Sequence, residues 1–175
     1  MKRVIPAVLF ALAGTMLAAG PLRTQARQCT QDCAGCTAPC ASTTVDPATA
    51  NALRAALADE RRAKAFYTSV MARFGPVAPF VNITNAEQRH ADMIIALMRR
   101  HGVPVPATAP TDVPPVPATF TQACLVAAQA ERDNIAMYDR FLRFVTATDV
   151  RNVFQNLRSA SLYNHLPAFE FWATR

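Results

Sequence analysis

The sequence predicts an all-α protein: four helices in two antiparallel hairpins, joined by one long proline-rich connection. Three observations carry this. From Asp46 onward the chain reads as helix, with apolar residues at heptad-like spacing. Its breaks are marked by glycine and proline, at Gly75-Pro76, at Gly102 and through the segment from Val103 to Ala118. The first and last connections are short and the middle one is long, which makes helices one and two, and helices three and four, antiparallel neighbours.

The first helix should open at Pro47, where Asp46 offers a side-chain acceptor as N-cap and proline takes the first helical position. It should end near Phe74, ahead of Gly75-Pro76. The second runs from about Phe80 to His101 and stops at Gly102, a left-handed cap. The third opens at Thr119, where Gln122 completes a capping box, and reaches about Val145. Thr148 or Asp149 caps the fourth, which runs to about Trp172, with Pro167 kinking its last turns. In polyproline geometry, at about 3.1 Å per residue, the middle connection reaches roughly 50 Å, whereas the second helix is only about 30 Å long. It can therefore cross from one end of the bundle to the other.

Before Asp46 the chain is of another kind. Lys2 and Arg3 precede an apolar run from Val4 to Ala19 that breaks at Gly20-Pro21, the three elements of a secretory signal. Small residues in Thr24-Gln25-Ala26 place cleavage after Ala26. Residues 1–26 are thus read as a signal peptide, 27–45 as a Cys-rich segment and 46–175 as the bundle. The apolar run falls short of the roughly 20 residues of a membrane span. The expected location is the bacterial cell envelope, periplasmic or extracellular, with no stable membrane insertion after cleavage. Without Lys2, Arg3 and Arg23 the net charge of +6 falls to +3, and the remaining charges are scattered along helical faces. Nothing in that pattern asks for nucleic acid.

Polar residues interrupt the apolar stripe of every helix. Glu60 falls between Ala56 and Ala63, and Glu87 and His90 between Ile83 and Ile94. Glu131 and Asn134 fall between Ala127 and Tyr138, and Ser161 and His165 between Leu157 and Ala168. An unpaired carboxylate in a core is costly, and a bound cation compensates it most directly. The heights agree. Glu60 lies about as far before the Gly75-Pro76 turn as His90 lies after it, and Glu131 and His165 flank the turn near Ala147 in the same way. Glu87 and His90, three apart, share a helix face and can grip one ion. The hairpins also echo each other: Glu60-Arg61 with Ala65 and Tyr67 matches Glu131-Arg132 with Ala136 and Tyr138 at identical spacing. Both tyrosines are read as aromatic core filling, with a hydrogen bond to a ligand or an electron relay as the alternative.

The segments Ala58-Asp59-Glu60-Arg61-Arg62-Ala63 with Tyr67, and Asn82-Ile83 with Glu87-x-x-His90, resemble the ferritin-like superfamily in its rubrerythrin-related branch. They are most similar to an uncharacterised bacterial ferritin-like family of unknown function. Ala130-Glu131 with Ile135, and Asn164-His165 with Ala168-Phe169, extend the resemblance to about Asp46–Phe169. It implies Glu60 and Glu131 as terminal carboxylates, Glu87 as a bridging one, and His90 and His165 as nitrogen ligands of one or two ions. Oxygen ligands with two imidazoles favour iron or manganese, with zinc compatible. The family pattern has two Glu-x-x-His motifs. Here the second is broken, because Leu162 stands three residues before His165. The second position, left with Glu131, His165, a share of Glu87 and the Asn134 carbonyl, is expected to bind more weakly than the first. Should a further ligand exist, Tyr163 and Glu170 are the first candidates.

Cys29, Cys33, Cys36 and Cys40 form a C-x3-C-x2-C-x3-C pattern at the start of the mature chain. An oxidising compartment favours two disulfides; a thiolate site for copper, zinc or an iron–sulfur cluster is the alternative. Cys124, on a core stripe, is read as a small buried hydrophobe. Three function classes follow. One is an exported metal-binding bundle with oxidase or peroxide-type activity, a non-haem iron oxidoreductase. Another is a metal buffer or carrier without turnover, and the last a metal-free structural or interaction bundle. A homodimer is compatible with each.

Overall fold

The computed structural model describes residues 44–107 and 110–175; the predicted signal peptide and the four clustered cysteines lie outside them. Asp46 caps α1 (Pro47–Phe74) as its position before a proline requires. Its Oδ1 accepts the N–H groups of Ala48 and Thr49 at 2.9 and 3.0 Å. Gly75, at φ 90°, ends the helix in a region that a side chain strains. Helix α2 (Phe80–Arg100) follows, with Gly102 at φ 66° just beyond its last turn. Thr119 caps α3 (Phe120–Phe141), its hydroxyl oxygen accepting the Gln122 N–H at 3.2 Å. The fourth rod of the bundle has three segments: α4 (Thr148–Ala160), a π-helical turn (Ser161–His165) and α5 (Leu166–Ala173). No strand occurs among the described residues, and none of their helices is long and apolar enough to cross a membrane.

Three boundaries differ from expectation. Helix α3 stops at Phe141, and a turn follows in which the Val145 N–H still bonds the Phe141 carbonyl at 3.0 Å. Neither Thr148 nor Asp149 is the cap of α4; Ala147 stands there, without a side-chain bond. The Asp149 carboxylate is engaged elsewhere, its Oδ2 lying 3.1 Å from Arg100 and 3.0 Å from His101 at the end of α2. Nor does the fourth rod simply kink at Pro167. Proline lacks the N–H that would bond four residues back. The chain widens one turn ahead of it, so that the Leu166 N–H reaches the Ser161 carbonyl, a five-residue span.

Side-chain pairs fix how the rods stand. Glu60 meets His90 and Lys64 meets Gln88 between α1 and α2. Tyr138 meets Glu60 and Tyr67 meets Glu131 between α3 and α1. Asp139 meets Arg158, and Arg132 meets Glu170, along α3 and the fourth rod. Glu87 meets His165 and His101 meets Asp149 between α2 and that rod. In each pairing the numbers rise on one helix as they fall on the other, so all four neighbours are antiparallel. The segment between α2 and α3 follows α1. Arg61 donates to the Pro106 carbonyl at 2.7 Å, Arg62 to Asp112 at 2.6 Å, and Arg73 to the Ala118 carbonyl at 3.3 Å.

The apolar core is divided in two. One cluster gathers Leu53, Leu57, Ile94, Met98, Phe154 and Leu157; the other gathers Phe66, Val70, Phe80, Cys124, Ala127 and Phe169. Burying each large side chain contributes roughly 1.5–3 kcal/mol. Cys124 is fully buried and its thiol is pushed up to about 11 by that burial, as a small core residue should be. On every rod the sequence between the two clusters carries buried polar residues: Glu60 on α1, Glu87 and His90 on α2, Glu131 and Asn134 on α3, and Ser161 and His165 on the fourth. The apolar clusters thus lie on either side of a buried polar layer.

Candidate metal centre

Glu60, Glu87, His90, Glu131 and His165 all meet in that layer, each at most 8% exposed. Glu87 stands at its middle. Its Oε2 lies 3.1 Å from His90 Nδ1, and its Oε1 lies 3.1 Å from His165 Nδ1. Glu60 flanks the first imidazole, Oε2 to Nδ1 at 3.2 Å, and Glu131 flanks the second at 3.4 Å. The two rings stack with centroids 5.4 Å apart. Two groups of donor atoms result, Glu60–Glu87–His90 and Glu87–Glu131–His165, with the atoms in each within 4.8 Å of one another. Such groups can hold metal ions.

The tyrosines are more than core filling. Both are wholly buried, and each spends its hydroxyl on a carboxylate of the other hairpin. Tyr67 donates to Glu131 Oε1 at 2.7 Å, and Tyr138 donates to Glu60 Oε1 at 2.6 Å. One oxygen of each carboxylate is thus held by a phenol while the other faces an imidazole. The repeated Glu-to-Tyr spacing in the sequence is the primary-structure trace of this crossed pair. Burial raises both phenols well above their ordinary range, so they remain donors.

Asn134 is not a ligand. Its carbonyl accepts from the Ser161 hydroxyl at 2.9 Å, and its amide donates to Asp59 Oδ2 at 2.8 Å. Tyr163 is exposed, and Glu170 pairs with Arg132 at the surface, so neither joins the layer. Asp59 is the residue that sequence reasoning passed over. It stands off the core stripe, yet its carboxylate reaches inward to Asn134 and outward to Arg62. The third histidine, His101, is buried at the far end of α2 beside Asp149, away from the layer.

Charge balance decides what the layer needs. Burial raises Glu60, with His90 opposing and Glu87 adding to the rise, to about 7. Burial lowers His90, but the Glu60 and Glu87 carboxylates outweigh it and lift the imidazole to about 9. Burial also lowers His165, and Glu131 with Glu87 lifts it to about 10. Glu87 is raised by burial but held below its ordinary value by the two imidazoles. Without a metal the layer therefore keeps protons to stay neutral. One contact is not satisfied that way. Glu87 Oε1 and His165 Nδ1, buried and 3.1 Å apart, make no hydrogen bond to each other or to any other group among the described residues. The protonated imidazole and the carboxylate face each other there as a buried ion pair whose N–H is not aligned on the oxygen.

No family model matches the chain, and no curated protein matches it either. Among solved structures it is similar to a hypothetical protein from Methanococcus jannaschii DSM 2661, known from a crystal structure. The two superpose with a TM-score of 0.67 at 21% identity, over 74% of this chain and 82% of the other. That likeness concerns the fold: the helical bundle is an arrangement that an archaeal protein of distant sequence also adopts.

Proposed function

We propose that this chain is a metal-binding bundle of the ferritin-like kind. Glu60, Glu87 and His90 hold one ion, Glu87, Glu131 and His165 hold a second, and Glu87 is the bridge. The observation that carries the reading is the pair of buried donor groups that share Glu87, with the donor atoms of each group within 4.8 Å of one another. A metal ion is a partner that such carboxylate and imidazole sets suit. The path of residues 103–119 beside α1 supports the ferritin-like connection, because α2 and α3 point the same way and the chain must travel the length of the bundle between them.

Three carboxylates and two imidazoles suit iron or manganese, with zinc also accommodated. Iron bound here supplies redox chemistry toward dioxygen or peroxide. The protein's own role is to bind and to exclude. Tyr67 and Tyr138 occupy one oxygen of Glu131 and Glu60, leaving for an ion the oxygen of each that faces an imidazole. Phe66, Phe80 and Phe169 wall off water on one side, and Phe154 and Ile94 on the other. The buffer or carrier reading shares the same site and differs only in turnover. The leader read from residues 1–26 supports the cell envelope as its location.

Titration of metal-depleted full-length protein with ferrous, manganous and zinc ions tests the reading. Two ions per chain are expected for at least one of them, with a rise in melting temperature, since an ion bound only by the folded state adds RT ln(1 + [L]/Kd). Absence of stoichiometric binding for all three would overturn it. Oxygen consumption on adding ferrous ion then separates the oxidase from the buffer.

A further inference from the structure

A narrow cavity of about 60 Å³ leads from the surface between α1 and α3 to the carboxylate side of the layer. Its lining runs from the partly exposed Asp59 and Arg62, here called its mouth, to the buried Tyr67, Asn134, Glu87 and Glu131. Glu87 is 2% exposed, and its Oε1 makes no hydrogen bond. At the mouth the Arg62 guanidinium spans two carboxylates, Asp59 on its own helix and Asp112 on the segment that lies over α1. Asp59 is in turn bonded to Asn134, whose amide also faces Glu60 Oε1 at 3.4 Å. Carboxylates are therefore stepped from surface to layer: Asp112 beside Arg62, then Asp59, then Glu87 and Glu131.

We propose that this cavity is the entry route for divalent cations, with Asp59 as the transit ligand and Arg62 as a displaceable plug. The inference rests on the metal-binding reading above. A guanidinium is a permanent cation, and at the mouth it repels another cation until it swings away from Asp59. Asp112, whose side chain is 65% exposed, retains Arg62 when that happens. The arriving ion takes the place of one positive charge beside Asp59, which keeps its Asn134 hydrogen bond while Arg62 is away. The ion then passes to the free oxygen of Glu87. The groove on the opposite side of the layer, between α2 and the fourth rod, is wider at about 410 Å³ but lacks these features. It presents Arg89 and the outer sides of His90 and His165, whose Nδ1 atoms turn inward, and no carboxylate lines it.

Stopped-flow loading of metal-depleted full-length protein with cobalt(II) alone, read by the visible absorption of the bound ion, tests this. Arg62→Ala and Arg62→Gln should both load about tenfold faster, and Asp59→Asn about tenfold slower, the low end of what charge in a cleft does to an on-rate. Arg89→Ala should load at the parental rate. The cobalt content at saturation should be the same in all four variants, which also reports that each is folded. Parental rates for both Arg62 variants and for Asp59→Asn would overturn the route, as would a changed rate confined to Arg89→Ala. A parent protein that takes up no cobalt would overturn the metal-binding reading itself and this route with it, a result distinct from unchanged rates.

Discussion

The two halves of the buried layer contain the same residue types and are built differently. Glu60, Glu87 and His90 come from one hairpin, and both carboxylates of that set hydrogen-bond one imidazole nitrogen. Glu131 and His165 come from the other hairpin and complete their set only by taking Glu87 from across the bundle. There the imidazole nitrogen forms ion pairs with two carboxylates, at 3.1 and 3.4 Å, without aligning a hydrogen bond on either. A donor set carried by one hairpin is positioned by that hairpin's own turn. A set assembled across the bundle is positioned by how the hairpins dock. Leu162 stands three residues before His165, where a Glu-x-x-His motif has its carboxylate, and the second donor set draws on Glu87 instead.

The largest expected effect comes from the residue the halves have in common. Glu87→Ala should reduce ion binding from two per chain to near zero, seen as loss of stoichiometric uptake in the metal titration, whereas Glu60→Ala and Glu131→Ala should each remove one. Retention of either ion after Glu87→Ala would show that the halves are independent. Next in size is the difference between the histidines. His165→Ala should abolish the second ion and leave the first within about tenfold of parental affinity, because every ligand of the first lies on α1 and α2. His90→Ala should abolish the first and weaken the second by roughly 10–100-fold, the cost of losing a neighbour that orients a ligand. Equal effects of the two substitutions on both ions would remove the distinction drawn here.

The smallest effect is the pH dependence of the metal-free protein. His90 and His165 sit above the ordinary imidazole value of 6.5, at about 9 and about 10. Groups raised by folding stabilise fully below their unfolded value and lose that contribution as pH climbs through the folded one. Glu60, raised to about 7, acts in the same direction. The metal-free protein should therefore lose at least about 10 °C in melting temperature between pH 7 and pH 10. Saturating metal should flatten the profile, since the ion takes the place of the protons. A metal-free melting temperature that rises over this range would contradict the charge balance of the layer.

Much of this was legible in the sequence, and the reasons are local. Asp46-Pro47, Gly75, Gly102 and Thr119 act within one turn of themselves, so the limits of α1 and α2 and the start of α3 follow from short-range chemistry. The five inward ligands were visible because a charged residue on an apolar stripe is conspicuous. What escaped depends on contacts distant in sequence. Asp59 lies off the stripe, and only Asn134, seventy-five residues away, draws it inward. Asp149 fails as a cap because α2 claims it. The π turn had left a trace: Leu157, Ser161, His165 and Phe169 are all buried at four-residue intervals. An α-helix turns 100° per residue, so such a series drifts about 40° at each step unless a wide turn takes the drift back.

The crossed tyrosines bear on what either half of the chain is by itself. A cut between Val103 and Ala118 would leave one fragment holding Tyr67 and Glu60 and another holding Tyr138 and Glu131. Each would carry a phenol whose carboxylate is missing and a carboxylate whose phenol is missing. Each fragment is thus an incomplete copy of the same device and the other's natural complement. The two crossed bonds therefore form only when both hairpins are docked, and they report that docking.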